Sequence, residues 1–191
     1  MSLRIIGGSF RNRPLKAPKG QGTRPTLAIM RKAVFDILQT QVEGSHFLDL
    51  FAGTGAMSFE ALSRGAEHAT FIERDRQALH CIQENMRTLK VEAKCTLLGY
   101  DVFSALKKLA KDKRHFDIVY VDPPYAGASE LLKDLLLFFD RHDLLNKGSV
   151  LFIEEAVPPV LKSEDLSLIR LRYIDSRSFS RSTLHQFHLP S

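Results

Sequence analysis

One carboxylate set into a rigid apolar turn is the first chemical feature of this sequence. In VYVDPPY, Val119–Tyr125, a strand-like run ends in an acid, two prolines and a tyrosine. Proline lacks an N–H and has a fixed φ, so Pro123 and Pro124 end sheet pairing and hold the chain extended. The Asp122 carboxylate and the Pro123 carbonyl can then both accept hydrogen bonds, while Tyr125 offers a flat ring. Two fixed acceptors beside an aromatic platform suit the planar amino group of a nucleobase. The lone pair of such an amine is delocalised into the ring. Acceptors for its protons raise the electron density on nitrogen and orient it toward an electrophile. Asp122, Pro123, Pro124 and Tyr125 are the candidate catalytic residues, with Tyr125 stacking on an extruded base. Alone, DPPY would be a strand-ending turn; the residues upstream give it a partner.

Those residues are DLFAGTGAMSFEAL, a strand, a glycine-rich turn and a helix. Gly53 and Gly55 permit close backbone approach and positive φ, and the helix near Ala56 turns its free N–H groups toward the loop. Ligands of open α/β sheets bind beyond the carboxyl ends of the strands, so a nucleotide-like cofactor is expected here. The pattern Gly53-x-Gly55-x-x-Ser58 has no third glycine, and Glu73 follows Gly55 by 18 residues. A carboxylate at Glu73 can accept from both ribose hydroxyls, a trait shared by dinucleotide and S-adenosylmethionine enzymes. Asp49 separates them: an anion below the loop suits a sulfonium or ammonium and suits a pyrophosphate poorly. Asp49 could instead cap a turn. Asp101 is a candidate for the adenine amino group and also a good helix N-cap before VFSAL.

The elements that position these groups alternate. Strand-like HFLDLF, ATFIE, AKCTLLG, FDIVYV and SVLFIE are separated by helical patterns at Met57–Arg64, Arg76–Leu89, Val102–Lys111 and Ser129–Leu137. That rhythm predicts an α/β fold with a parallel sheet covered on both faces. Gly65 and Gly148 stand where helix-ending turns belong. VPPVLK can hold only a short helix; LIRLRYI and TLHQFHL then predict two antiparallel strands. Before the alternating region, LRII, GG and RNRP predict a short hairpin. Thr26 is expected to cap a helix over LAIMRKAVFDILQTQV, with Ile29, Val34, Ile37 and Leu38 on its packed side. A boundary near residue 45 divides a 1–44 hairpin-and-helix extension from a 45–191 body.

Charge follows that division. The net charge is +5, yet residues 1–32 hold eight basic side chains and no acidic one, leaving the remainder at −3. A basic arm on an acidic body is the footprint of a phosphate-backbone binder. The arm also carries Ile5, Ile6, Phe10 and Leu15, enough to dock it. Cys81 and Cys95 have no disulfide or zinc spacing and are expected as core residues in a reducing cytoplasm. No run reaches membrane-span length, LLKDLLLFFD being short and broken by charge, and the start lacks a signal-type segment. His185 and His188 fall on opposite strand faces without a carboxylate at ligand spacing, so no metal is expected. SRSFSRS is basic and serine-rich and reads either as an RNA contact or as a solvated surface turn, Lys107–Lys113 reads as an exposed helix face, and Glu154 and Glu155 read as strand neighbours pointing apart.

DLFAGTGA, FIE and VDPPY together resemble the Rossmann-like S-adenosylmethionine-dependent methyltransferases that act on exocyclic amines. RIIGGSFRNRPL, RPT and a helix ending FDIL make the chain similar to the RsmD family, which methylates guanine N2 in 16S ribosomal RNA. The resemblance implies a seven-stranded, mostly parallel sheet with an antiparallel last strand. It implies S-adenosylmethionine held by Asp49, Phe51, Gly53, Gly55 and Glu73, with catalysis around Asp122–Tyr125; the reading of the residues adds Asp101 to the cofactor set. It further implies an arm whose Arg4, Arg11, Arg13, Lys16, Arg24 and Arg31 reach for RNA of the small subunit or its assembly intermediate. A cytoplasmic monomer is expected. The chain departs from the family pattern at Asn12, where RGR is usual, at Ala28 and Arg31-Lys32, at Ser58 and at Ser180. Three rival readings stand beside this one: an adenine-N6 methyltransferase on DNA or RNA, a non-catalytic RNA-binding protein with a cofactor fold, and a nicotinamide-dependent oxidoreductase.

Overall fold

A computed structural model describes residues 3–18, 25–124, 129–157, 159, 161, 167–179 and 181–191. Their strands form one seven-stranded sheet: β1 (His46–Leu50), β2 (His68–Ile72), β3 (Cys95–Leu98), β4 (Phe116–Val121), β5 (Leu145–Ala156), β6 (Arg172–Phe179) and β7 (Ser182–His188). The spatial order is β3-β2-β1-β4-β5-β7-β6. Pairings from β3 through β5 are parallel, and β7 runs antiparallel to both β5 and β6. Order reverses at β1 and β4, whose carboxyl ends lie side by side, which is where such sheets bind ligands.

Among the described residues five α-helices accompany the sheet: α1 (Pro25–Leu38), α2 (Ala56–Ser63), α3 (Arg76–Leu89), α4 (Val102–Lys111) and α5 (Ser129–Arg141). Strand residues alternate between two apolar cores, one on each face. Phe47, Phe71, Tyr120 and Phe152 join α1, α2 and α3 in the first. Leu48, Val119, Val121 and Ile153 join α4 and α5 in the second. Both faces are therefore sealed, which accounts for the near-continuous apolar strands.

The N-terminal hairpin is present as a bridge between Arg4 and Pro14. Leu15 N–H donates to Leu3 O and Asn12 N–H to Ile5 O. Asn12 has φ 68°, a left-handed conformation that asparagine tolerates better than most residues, so it can stand where glycine is usual. Leu3, Ile5 and Leu15 lie in the same core as α1 and α2.

Several boundaries differ from expectation. The first helix begins at Pro25, so Thr26 is its second residue rather than its cap; proline suits that first position. Ile29 is 56% exposed, and the packed side is instead Met30, Val34, Phe35 and Leu38. Helix α5 continues past Leu137 to Arg141. Gly148 ends no helix: it lies within β5, where the register to β4 jumps from Leu145 to Val150. Its φ of 80° serves that bulge. Strand β6 starts at Arg172, later than LIRLRYI suggested, because Asp140 accepts the N–H groups of Ile169, Arg170 and Leu171. Pro158, Val160 and Lys162 of VPPVLK, and Ser180, lie outside the described residues. Cys81 and Cys95 occupy α3 and β3, both as free thiols. Among the described residues no helix is long and apolar enough to cross a membrane.

Candidate active site

The glycine loop leaves β1 through three consecutive demands on the backbone. Phe51, Gly53 and Gly55 have φ of 63°, 54° and 74°. A Cβ on Gly55 would sit 2.8 Å from the Phe59 ring and 2.9 Å from Phe71, so both conformation and space require glycine there. Phe51 carries the same left-handed backbone with a bulky side chain, a conformation that costs free energy and clusters at ligand sites.

Asp49 lies beneath this loop, 2% exposed. The Ser58 hydroxyl, also buried, donates to Asp49 Oδ2 at 2.8 Å. Burial pushes the Asp49 carboxyl up to about 7; hydrogen bonds from Ser58 pull it down, and the Glu73 charge pushes it up again. Ser58 is thus the ligand of a buried acid. The sequence displayed it only as a missing glycine.

Glu73 caps the end of β2. Its Oε2 accepts from Gly53 N–H at 2.7 Å, and its Oε1 from Arg74 and Asp75 N–H at 2.7 and 2.8 Å. The acid is therefore fixed to the glycine loop, and each oxygen retains acceptor capacity for a further donor only through its remaining lone pairs. Asp101 is the N-cap of α4, accepting from Ser104 N–H at 3.0 Å. Those hydrogen bonds hold its carboxyl below the usual range.

Asp122 follows β4, half-buried, with its N–H directed at Leu50 O across 3.5 Å. Pro123 is half-buried and Pro124 exposed; Tyr125 lies outside the described residues. The strand behind them holds a group that sequence reasoning missed. Tyr120, paired in register with Asp49, donates its hydroxyl to Glu154 at 2.5 Å. Burial and the charges of Glu154 and Asp122 keep that phenol protonated. Its apolar neighbours in sequence concealed the hydroxyl's role. The next acid, Glu155, points to the other face as expected, toward Leu161 N–H and His185 Nε2, the latter at 3.3 Å. A carboxylate does accompany His185, contrary to expectation, because β5 and β7 pair across it. Among the described residues no three His, Cys, Asp or Glu side chains gather as a metal site.

The arm is docked rather than loose. Glu60 of α2, 0% exposed, accepts from Ile6 and Gly7 N–H, both at 2.8 Å, and from Arg64 Nε at 2.8 Å. Gly8 packs so closely on the end of α2 that a Cβ would lie 1.8 Å from Ser63 O. Asn85 of α3 clamps Lys16 through its N–H and carbonyl. Of the expected RNA-contacting cations, Arg4 and Arg11 are exposed, Arg13 donates to Thr88 O and Lys16 pairs with Glu84. Arg24 lies outside the described residues. Arg31 does not belong with them. It is 3% exposed, donates to Arg4 O at 2.8 Å and faces Glu60 at 3.4 Å. Burial lowers the pKa of its guanidinium, and Glu60 opposes that.

The strand order, the single reversed strand β7, and acids at the ends of β1, β2 and β4 define a Rossmann-like methyltransferase fold. The family model described as "Conserved hypothetical protein 95" matches residues 3–187. YlbH of Bacillus subtilis (strain 168) is 36% identical over 152 residues, 80% of this chain and 82% of its own length. "Ribosomal RNA small subunit methyltransferase D" of Escherichia coli (strain K12) is 34% identical over 155 residues, 81% of this chain and 75% of that protein. The solved structure of Escherichia coli yhhF has a TM-score of 0.83 and 26% identity, covering 100% of this chain and 99% of that one. The chain belongs to this conserved family, the RsmD family.

Proposed function

We propose that this protein transfers a methyl group from S-adenosylmethionine to the exocyclic N2 of a guanine in 16S ribosomal RNA of the small subunit. One observation carries the reading: the end of β4, with Asp122 and Pro123, lies directly against the end of β1 that opens the glycine loop. The relative named for ribosomal RNA small subunit methylation supports the substrate class.

The residues present fit such a cofactor. A buried carboxylate, Asp49, lies under the loop, and a second, Glu73, is fixed at its side by the Gly53 N–H. A Cβ on Gly53 would meet only Phe51 O, at 3.9 Å, which leaves room for a ligand against the loop. When bound, S-adenosylmethionine supplies an electrophilic methyl on a sulfonium. Asp49 offers charge complementary to its cationic end, Glu73 accepts from ribose hydroxyls, and Asp101 and Phe51 flank the adenosine. Asp122 and the Pro123 carbonyl accept the protons of the target amine and orient its nitrogen. Tyr125 stacks on the extruded base.

In this reading residues 1–44 are an RNA-contacting extension, with Arg4, Arg11, Arg13, Lys16 and Arg24 as its cations. Arg31 instead holds that extension to the body. The protein acts as a cytoplasmic monomer.

The test is a transfer assay with labelled S-adenosylmethionine, using naked 16S RNA, small subunits lacking the modification, and duplex DNA. Nucleosides are then resolved by mass spectrometry. Label in N2-methylguanosine is the expected result. Label in methyladenine would move the reading to an adenine-N6 enzyme. Bound cofactor with no label in any substrate would overturn nucleic-acid methylation.

A further inference from the structure

Two cations of the arm, Arg11 and Arg13, lie far from the chemistry. Helix α2 starts at the glycine loop and ends at Ser63, and the tip of the arm packs on that far end, where Ser9 N–H and Phe10 N–H bond Ser63. An eight-residue helix places that tip about 12 Å from the loop. Arg13 likewise docks at Thr88, near the end of α3. RNA entering the site needs cations nearer to Asp122.

We propose that the β6–β7 turn is a second RNA-binding edge, with Arg177 and Arg181 gripping phosphates of the strand that carries the extruded base. The nature of the nucleic acid rests on the methyl-transfer reading above.

Strand register places this turn on the rim of the site. Strand β6 runs in the same direction as β5, so its end and the turn lie at the carboxyl edge of the sheet with Asp122. Arg177 pairs with Leu184, which pairs with Glu154, while Val121 pairs with Ile153. Arg177 is thus level with Asp122, three strands across, or about 14 Å at normal strand spacing. Arg181 stands three residues further out: Arg177 is level with Glu154, whereas Ser182 pairs with Ala156 and Val157 N–H donates to Arg181 O at 3.1 Å. That bond anchors Arg181, and the partly buried Phe179, packed on the core of the first face, anchors the end of β6.

Charge fits a polyanion. Arg177 and Arg181 stand at this end of β6 with one acid in the same stretch of chain, Asp175. Arg177 Nε lies 3.6 Å from Asp175 Oδ2, with both side chains more than half exposed, and such a pair is readily exchanged for phosphate. Arg181 is exposed, and its guanidinium has no protein partner among the described residues. Charge on an edge strand also blocks strand-to-strand association, so the test must separate that role from RNA binding.

Arg177→Gln/Arg181→Gln and Arg177→Glu/Arg181→Glu variants of the full chain would be assayed beside wild type on naked 16S RNA and on unmodified small subunits. The expected result is a KM for the RNA substrate raised about tenfold or more by charge reversal and less by glutamine. The kcat at saturation and the S-adenosylmethionine Kd should stay within about twofold, and the logarithmic salt slope should shrink by about 1.4–1.8, the share of two phosphate contacts. Unchanged KM and slope would overturn the proposal. So would new self-association, seen by sedimentation, with an unchanged KM, which would assign these arginines to edge protection. Wild type that labels neither substrate would bring down the methyl-transfer reading itself, an outcome distinct from wild type and variants labelling equally well.

Discussion

Asp49 and Ser58 form a buried pair whose charge is set by pH. With its carboxyl at about 7, Asp49 ionises in the range where a cationic cofactor would meet it. S-adenosylmethionine affinity should rise up to about tenfold per pH unit below 7 and level off above it, as calorimetry across pH 5.5–8.5 would show. Ser58→Ala removes a hydrogen bond to the charged form, so the midpoint should move up by about one to two units. A change in affinity with an unmoved midpoint would make Ser58 merely a packing residue. Stability has the opposite sign. The folded protein keeps a proton that the unfolded chain releases near 3.8, so this group's contribution favours folding at low pH and declines from about 4 to about 7. At Asp122 the expected effect is kinetic. Asp122→Asn should lower kcat by about a hundredfold to a thousandfold while leaving cofactor affinity within about twofold. A large loss of cofactor affinity would place Asp122 in cofactor binding instead. Asp122 and Glu73 stood out in the sequence as acids that end apolar strands, and Asp49 as an acid four residues before Gly53. Ser58 did not, because its partner lies nine residues back on a different element.

Elements meet through buried polar groups that no periodicity displays. Glu60 looks like a surface residue of a helix, yet it holds two arm N–H groups and lies between Arg31 and Arg64. Glu60→Ala should destabilise the protein by about 3–5 kcal/mol, because it leaves Arg31 buried beside unpaired backbone donors. A urea midpoint measurement checks this, and a loss below about 1 kcal/mol would show that the arm docks mainly through Leu3, Ile5 and Leu15. The same network explains Arg31: a basic arm predicts RNA contacts for all its cations, and only packing reveals which one is turned inward. Helices α3 and α4 were legible to the residue, since each has a strong apolar stripe and an aspartate cap, Asp75 and Asp101. The bulge at Gly148 was not, because a glycine inside a strand and one after a helix look alike in sequence.

For the molecule as a whole, the long-range signal is charge. An N-terminal region of +8 on a body of −3 should make RNA association steeply salt-dependent. Arg11→Glu with Arg13→Glu should weaken RNA binding and flatten the salt slope, with S-adenosylmethionine affinity unchanged, because both cations lie at the far ends of α2 and α3 from the loop. Equal loss of cofactor affinity would mean that the arm serves the fold alone.

The sequence by itself determined the alternation of strands and helices, the sealed parallel sheet, the glycine loop, and the acids at the ends of β1, β2 and β4. These are local matters: apolar period, backbone freedom and turn chemistry are written in neighbouring residues. Tertiary structure alone decided which polar side chains are buried together. Tyr120 meets Glu154, Ser58 meets Asp49, and Arg31 meets Glu60 only after β1, β4 and β5 come side by side and α1 and α2 close over them. It also decided that Arg177 stands level with Asp122, because β6 runs parallel to β5 and carries the chain back to the carboxyl edge of the sheet.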